Sequence, residues 1–414
     1  MRIGIIDSNY SKREHRGLAA TWLQWELERA GVKECPPEVA DVLLCTVSAP
    51  EGVPGLRTQL KKYWNGRSRV ILGGGGAWSP AVFEKVVDLI CVGEGQNFMR
   101  TLLTEGLEAA ESLPEVWRRG EEKLVIPSQS FPWDCPPLNH PDGTVRVWGS
   151  RGCKKKCLFC QTGWQQKYLP NPNPARVQRQ IFDLEKRNRR IAVITNDGAA
   201  DNFEFSGQQQ FVSASYSALK KMNMDRKIMK SIRVGVEGVS ERLRRAVRKR
   251  VDNQGLVELC KRAADAGVGV RLFYVVGLPG ETDADWAEFQ GLIDMIKVTL
   301  DKGVIMMNLH GFIPGPAHPL GVLPLKDEYW ERFSRFKDWF FGGPGFTKHV
   351  QIVAPAMYKT RLKNSCKAMC ATPEQLRKGW LKDDNPNWRV QYLLTPAQLR
   401  AKALKYADEV GLKI

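Results

Sequence analysis

Short, continuously apolar runs alternate with amphipathic stretches along almost the whole of this 414-residue chain. The runs at 2–6, 40–47, 68–76 and 87–95 are separated by helix-like segments at 18–30, 55–64 and 80–87. A strand that is apolar on both faces is buried on both faces, and such strands alternating with helices imply parallel βαβ units. Residues 1–110 are therefore expected to form a doubly wound parallel-sheet domain of Rossmann-like type. Residues 111–147 hold Pro114, Pro127, Pro132, Pro136, Pro137 and Pro141 without periodicity, and read as a linker.

The rhythm resumes after 147. Strands are expected at 146–150, 190–195, 211–215, 231–238, 268–277 and 304–314. Helices are expected at 174–187, 217–224, 240–249, 252–266, 283–300 and 327–339. Six βα units suggest a partial (βα)6-type barrel over 148–330, with its site at the C-terminal ends of the strands. Residues 331–414 form a small basic and aromatic extension. The expected architecture is α/β throughout.

Composition closes off several classes. Hydrophobic residues make up 43% and charged residues 26%, which excludes a largely disordered chain. No run approaches the roughly 18 apolar residues of a membrane span. The N-terminal residues lack the apolar core of a signal peptide, so the expected compartment is the cytoplasm, with no membrane partner. Ten cysteines are too few for a disulfide scaffold, and three crowd into RGCKKKCLFCQTGW as Cys153, Cys157 and Cys160. Three thiolates so close can ligate three irons of a cubane cluster and leave the fourth iron open. The alternative is structural zinc, which needs a fourth ligand such as Cys135 or His140.

CxxxCΦxC, with Phe159 as the aromatic Φ, resembles the signature of the radical S-adenosylmethionine (SAM) superfamily. That resemblance implies a [4Fe–4S] cluster on Cys153, Cys157 and Cys160, SAM on its open iron, and one-electron cleavage to a 5′-deoxyadenosyl radical. It also implies an electron donor such as flavodoxin or ferredoxin. VGVEGVSERLRRAV (234–247) is similar to the segment whose acidic residue contacts SAM, here Glu237; the alternative is a helix-capping or ion-paired Glu. VVGLPGET (275–282) resembles the turn in which Gly277 and Gly280 would admit the adenosine, or else a plain turn capped by Thr282. ITNDGAAD (194–201) offers Asn196 and Asp197 for the SAM amino group. No catalytic residue beyond the cluster ligands is assigned; Tyr168, Tyr216, Tyr274 and Cys260 are candidates only.

ILGGGGAWSP, DLICVGEG, CQTGW and NLHGFIPGPAHPLG are similar to the subgroup with an N-terminal cobalamin-binding-type domain. Cobalamin is thus a candidate cofactor, although the loop holding His15 departs from the D-x-H-x-x-G pattern. A methylthiotransferase is disfavoured, because Cys35, Cys45 and Cys91 do not sit in that family's motifs. Cys366 and Cys370 are either free thiols on a helix or half of an auxiliary site.

The formal net charge is +17. Basic runs at 186–190 and 220–250 and a basic tail are either solvated faces or a phosphate-tracking surface. Trp339, Phe340, Phe341, Trp380 and Trp388 are either core residues or base-stacking platforms. The leading expectation is radical modification of a nucleic-acid base or sugar. The alternatives are a methylase or rearranging enzyme acting on a peptide or small metabolite, and a non-catalytic iron–sulfur or zinc protein that binds nucleic acid.

Overall fold

The computed structural model describes residues 1–8, 16–195, 203–207, 209, 212–343, 345, 347–353 and 358–413. The first sheet has parallel strands β1 (Ile3–Asp7), β2 (Val42–Thr46), β3 (Arg69–Gly73) and β4 (Leu89–Cys91). β5 (Val116–Arg118) closes it in antiparallel sense, in the order β1-β2-β3-β4-β5. Both faces are covered, as the apolar strands require. Ile3, Ile5, Val42 and Leu44 pack under α1 (Leu18–Arg29) and α3 (Gln96–Thr104), with α4 (Leu107–Glu111) alongside. Leu43, Cys45, Val70 and Leu72 point the other way, onto α2 (Val53–Tyr63). The segment expected to be a linker thus supplies a strand: VWR completes the edge of the sheet.

The second half is a partial barrel. β6 (Leu138–Asn139) pairs antiparallel with β7 (Thr144–Trp148), which pairs in parallel with β10 (Arg190–Ile194). β8 (Ser150–Arg151) and β9 (Leu169–Pro170) form a short ladder that brackets the cysteine loop. β11 (Val212–Ser213), β12 (Ser231–Glu237), β13 (Gly269–Val276), β14 (Ile305–Gly311) and β15 (Val350–Val353) form a five-stranded parallel sheet. All six expected strands are present. The sheet runs one strand further than expected, because α11 (Glu328–Phe341) serves as a crossover to β15 rather than as part of a separate tail.

Strand and helix faces follow from alternation. On β12 and β13, Ile232, Val234, Val236, Val270, Leu272, Tyr274 and Val276 are buried against the helical layer. That layer includes α6 (Pro174–Lys186), α7 (Tyr216–Lys221), α8 (Glu241–Ala246), α9 (Asn253–Asp265) and α10 (Asp283–Thr299), with α5 (Gln161–Gln165) behind the cysteine loop. The intervening residues line the lumen.

The C-terminal segment, with α12 (Tyr358–Met369), α13 (Pro373–Lys378) and α14 (Pro396–Glu409), binds the two halves together. The Asn387 side chain accepts from the Ala81 amide (3.1 Å), and the Tyr392 hydroxyl donates to the Trp78 carbonyl. A single apolar core runs from Leu43 through Leu272 to Tyr406. No helix is long and apolar enough to cross a membrane among the described residues.

One polar knot ties the barrel to this segment. The Asp285 carboxylate accepts from the Thr282 amide (2.8 Å), the Thr282 and Ser240 hydroxyls, and the Arg242 guanidinium. Arg242 also donates to the carbonyls of Gly280 (3.0 Å) and Val410 (2.9 Å). Burial pushes the Asp285 carboxyl up, but these donors outweigh it and hold it below its ordinary value. Asp285→Ala leaves Arg242 and two hydroxyls without their acceptor and is expected to cost about 2–4 kcal/mol, read by chemical denaturation.

Candidate functional site

The cysteine loop leaves β8 through Gly152. A side chain there would meet the Lys167 carbonyl carbon and oxygen, at 2.2 Å from the latter, and φ is +65°, so only glycine fits. Cys153 and Cys157 are buried and Cys160 is partly exposed. The loop is held from three sides. Cys160 donates its amide to the Cys157 carbonyl (3.1 Å), and the Trp164 indole on α5 donates to the same oxygen (2.9 Å). Leu320 donates its amide to the Leu158 carbonyl (3.2 Å) from the segment after β14. From the first sheet, buried Glu94 takes two hydrogen bonds from Arg151, at 2.6 and 2.9 Å. Gln166, in the orientation its partners require, donates to Glu94 (3.0 Å) and accepts from the Gly152 amide (3.1 Å). Arg151 also lies over the rings of Trp148 and Phe131. The VGEG segment is therefore a fastening for the cysteine loop.

Facing the thiols, at the C-terminal end of β12, stands Glu237. Its φ is +73° at a bulge in the β12–β13 register. The strain turns its carboxylate to Lys249, just after α8, with Nζ 3.2 Å from Oε1. Lys249 also donates to the Gly235 carbonyl (3.3 Å). A side chain at Gly235 would meet Glu237 Oε1 at 2.6 Å, so this glycine makes room for the pair. His310, on β14, stacks on Phe273 with ring centres 6.1 Å apart. Burial raises the Glu237 carboxyl, and Lys249 and His310 oppose the rise. Burial likewise pushes the Cys157 thiol up to about 11, eased by Lys249 and reinforced by Cys160, Glu237 and Cys153. One carboxylate, one ammonium and three thiols thus lie close together. In the sequence Lys249 is one residue of the basic run at 220–250. Its spacing after Glu237 carried no signal; the tight turn after α8 brings it back.

The thiols do not converge on one point: among the described residues, no group of three or more Cys, His, Asp or Glu side chains is placed to hold a single metal ion. A mononuclear zinc site demands such convergence, whereas a cubane takes each thiolate on a different iron. The proposed fourth zinc ligands lie elsewhere. Cys135 is surrounded by Glu26, Asp134, Arg29 and Arg176, and His140 by Asp142 and Arg146. The donor set fits a [4Fe–4S] cluster.

Other expected positions fare differently. Phe159 is half-buried against the main core. Gly277 has φ +74° and donates its amide to Glu281 (2.8 Å), whose other oxygen accepts from the Trp286 indole (2.8 Å). A side chain at Gly280 would meet Val410 at 2.4 Å, so that side of the turn faces protein. Asn196, Asp197 and His15 lie outside the described residues. Tyr274 packs on Phe289 in the helical layer, Cys260 is buried on α9, and Tyr216 donates to Asp252 (3.0 Å); none of the three faces the lumen, because alternation or helix position turns them outward. Glycines 74–76 press on the backbone of residues 47–49, which is why a side chain is not tolerated there. Cys45 and Cys91 lie in cores on opposite faces of the first sheet and cannot share a cluster. Cys366 is partly buried, and Cys370 is exposed with its thiol on the Ala81 carbonyl.

Residues 175–293 match the model of the radical SAM superfamily. Over that stretch the chain is similar to the radical SAM superfamily. An uncharacterized protein of Methanocaldococcus jannaschii is 23% identical over 282 residues, 61% of each chain. A putative methylthiotransferase of the same organism is 21% identical over 267 residues, 55% of this chain and 58% of the relative. The chain thus spans about 60% of the length of these relatives. Among solved structures, the radical SAM methyltransferase TsrM from Kitasatospora setae, with tryptophan and a SAM analogue bound, superposes at TM-score 0.54. It is 13% identical, over 78% of this chain and 75% of that one. The cobalamin-dependent SAM radical enzyme OxsB, with aqua-cobalamin and SAM bound, gives 0.51 at 13% identity, over 90% and 62%. These likenesses bear on the fold: a parallel-sheet domain in front of a partial radical SAM barrel. The family's cofactors are a [4Fe–4S] cluster and SAM.

Two outcomes follow. Glu94→Ala strands the Arg151 guanidinium beneath the cysteine loop and is expected to lower iron per chain after reconstitution at least threefold, with the far-ultraviolet spectrum kept. His318, fully buried with Nδ1 accepting from the Gly321 amide (3.1 Å), is pushed down to about 3 by burial. A depressed histidine contributes stability that is complete above about pH 6.5 and is lost as pH falls toward 3. His318→Gln should flatten the denaturation midpoint across that window.

Proposed function

We propose that this chain is a SAM-cleaving radical enzyme whose cysteine loop carries the cluster and whose Glu237–Lys249 pair receives the amino-acid end of SAM. The observation that carries the reading is the meeting of Cys153, Cys157 and Cys160 with a buried carboxylate and an ammonium at the C-terminal ends of parallel strands. Glu237 offers an acceptor to the SAM amino group, and Lys249 offers a donor to its carboxylate. Cys153, Cys157 and Cys160 would hold the cluster and Glu237 and Lys249 would seat SAM, and with an electron from a flavodoxin- or ferredoxin-type donor these cofactors would supply reductive SAM cleavage and hydrogen-atom abstraction from substrate. The chain's own work is to bind and orient: the loop fixes the ligands, and the Glu237–Lys249 pair orients the amino-acid end of SAM.

An anionic substrate suits the charge. Arg245, Arg248 and Arg250 line an open cavity of about 600 Å³ on the rim. Stacked nucleic-acid bases find less support, because Phe340 and Trp380 are core residues and Trp388 donates to the Pro316 carbonyl (3.0 Å). The fold shared with TsrM favours a second reading, a methylase acting on a small molecule, with or without cobalamin.

The test is 5′-deoxyadenosine formation by the anaerobically reconstituted protein with SAM and a reductant. Wild type is expected to form it, Cys157→Ala to fall below one hundredth of that rate, and Glu237→Gln to need about tenfold more SAM. Undiminished formation by Cys157→Ala overturns the assignment. Methylated product and S-adenosylhomocysteine would select the second reading.

A further inference from the structure

The six basic residues of 242–250 divide into two sets. Arg242 is held by Asp285, Arg244 by Asn253 and Glu288, and Lys249 by Glu237. Arg245, Arg248 and Arg250 are exposed, and their guanidinium groups meet no acceptor among the described residues. The acids of the same stretch are engaged elsewhere. Glu241 accepts from the Asn253 amide (2.7 Å), and Asp252 from the Gly255 amide (2.6 Å) and the Tyr216 hydroxyl (3.0 Å).

The backbone sorts the two sets. Arg248 has φ +69°; its amide donates to the Arg245 carbonyl (2.9 Å), and the Lys249 amide donates to the Arg244 carbonyl (2.7 Å). These are the paired bonds of a Schellman turn, whose left-handed position usually holds glycine because a Cβ is disfavoured there. The turn swings Lys249 back to Glu237 at the C-terminal end of β12. Its chain neighbours Arg248 and Arg250 stay outside with Arg245, and the three line one open cavity of about 600 Å³. The helix dipole favours a cation such as Arg245 in the last turn, but it does not call for a side chain in the left-handed position.

Three guanidinium groups around one cavity repel one another unless an anion lies between them. Their forks match the oxygens of phosphate groups. The cavity falls within the roughly 300–1,000 Å³ of small-molecule sites, which suits a compact ligand better than an extended strand. Because two of the arginines adjoin Lys249, a ligand held there by its phosphate has its other end beside the Glu237–Lys249 pair.

We propose that Arg245, Arg248 and Arg250 form the phosphate anchor of a small phosphorylated substrate at the open end of the barrel. That the ligand is a substrate rests on the radical reading above; the phosphate site itself does not.

The test is calorimetric titration of the reconstituted full chain with inorganic pyrophosphate at low salt. One-to-one binding is expected. Arg248→Gly should weaken it at least tenfold while keeping a denaturation midpoint at or above that of wild type, since glycine suits the left-handed turn. Arg250→Gln, outside that turn, should weaken it at least threefold, and so decides the matter even if Arg248→Gly does not fold. Arg57→Ala, an exposed arginine on α2, should stay within twofold of wild type. Absence of pyrophosphate binding, or unchanged binding in Arg248→Gly or Arg250→Gln, overturns the proposal. Equal weakening by Arg57→Ala also overturns it, because it marks diffuse attraction to the net charge. So does tenfold tighter binding of a short single-stranded oligonucleotide, which would assign the arginines to a nucleic-acid backbone. 5′-Deoxyadenosine formed by a protein that binds no pyrophosphate removes this site and keeps the radical reading. Pyrophosphate held by these arginines in a protein that forms no 5′-deoxyadenosine keeps the site and removes that reading.

Discussion

The Arg151–Glu94 ion pair is the contact on which the site depends. The nine-residue loop 152–160, carrying three thiols, has little apolar surface of its own and few local hydrogen bonds to make it rigid. It is ordered because the first sheet reaches across with a buried carboxylate, the segment after β14 supplies an amide, and α5 supplies an indole. A buried ion pair stabilises weakly in net terms, yet losing one partner strands the other charge. That asymmetry makes Glu94 a better guardian of loop geometry than an apolar residue would be. The first sheet therefore serves the barrel as a support.

Much of this was legible in the sequence. The six strands of the barrel announce themselves because their outward faces are apolar, and a run such as VGVRLFYVV, interrupted only by Arg271, leaves little other place to go. The three cysteines stand out by spacing alone. The seventh strand escaped notice because VQIV is four residues long and follows a polar stretch. The linker concealed β5 for a similar reason: three residues between prolines have no measurable period.

The site was harder to read than the fold. Glu237 could be marked because it ends an apolar strand, but its partner could not. Lys249 lies within a run of arginines, and only the turn after α8 separates its role from theirs. Arg242 and Arg244, neighbours in the same run, went the other way, one into a knot with Asp285 and one wholly into the core. Charge on a helix says nothing about which side chains reach water. The aromatic residues of the tail show the same limit, since a tryptophan that packs and one that stacks look alike in sequence.

The Tyr392–Trp78 hydrogen bond joins residues 314 positions apart. Contacts of that reach form late, after the loop entropy between them has been spent. Until the C-terminal segment docks, the first sheet and the barrel lack their shared core, and the thiols of the cysteine loop stay accessible. A chain cut before Tyr392 would therefore lose the cover that joins the first sheet to the barrel and leave apolar surface on both exposed.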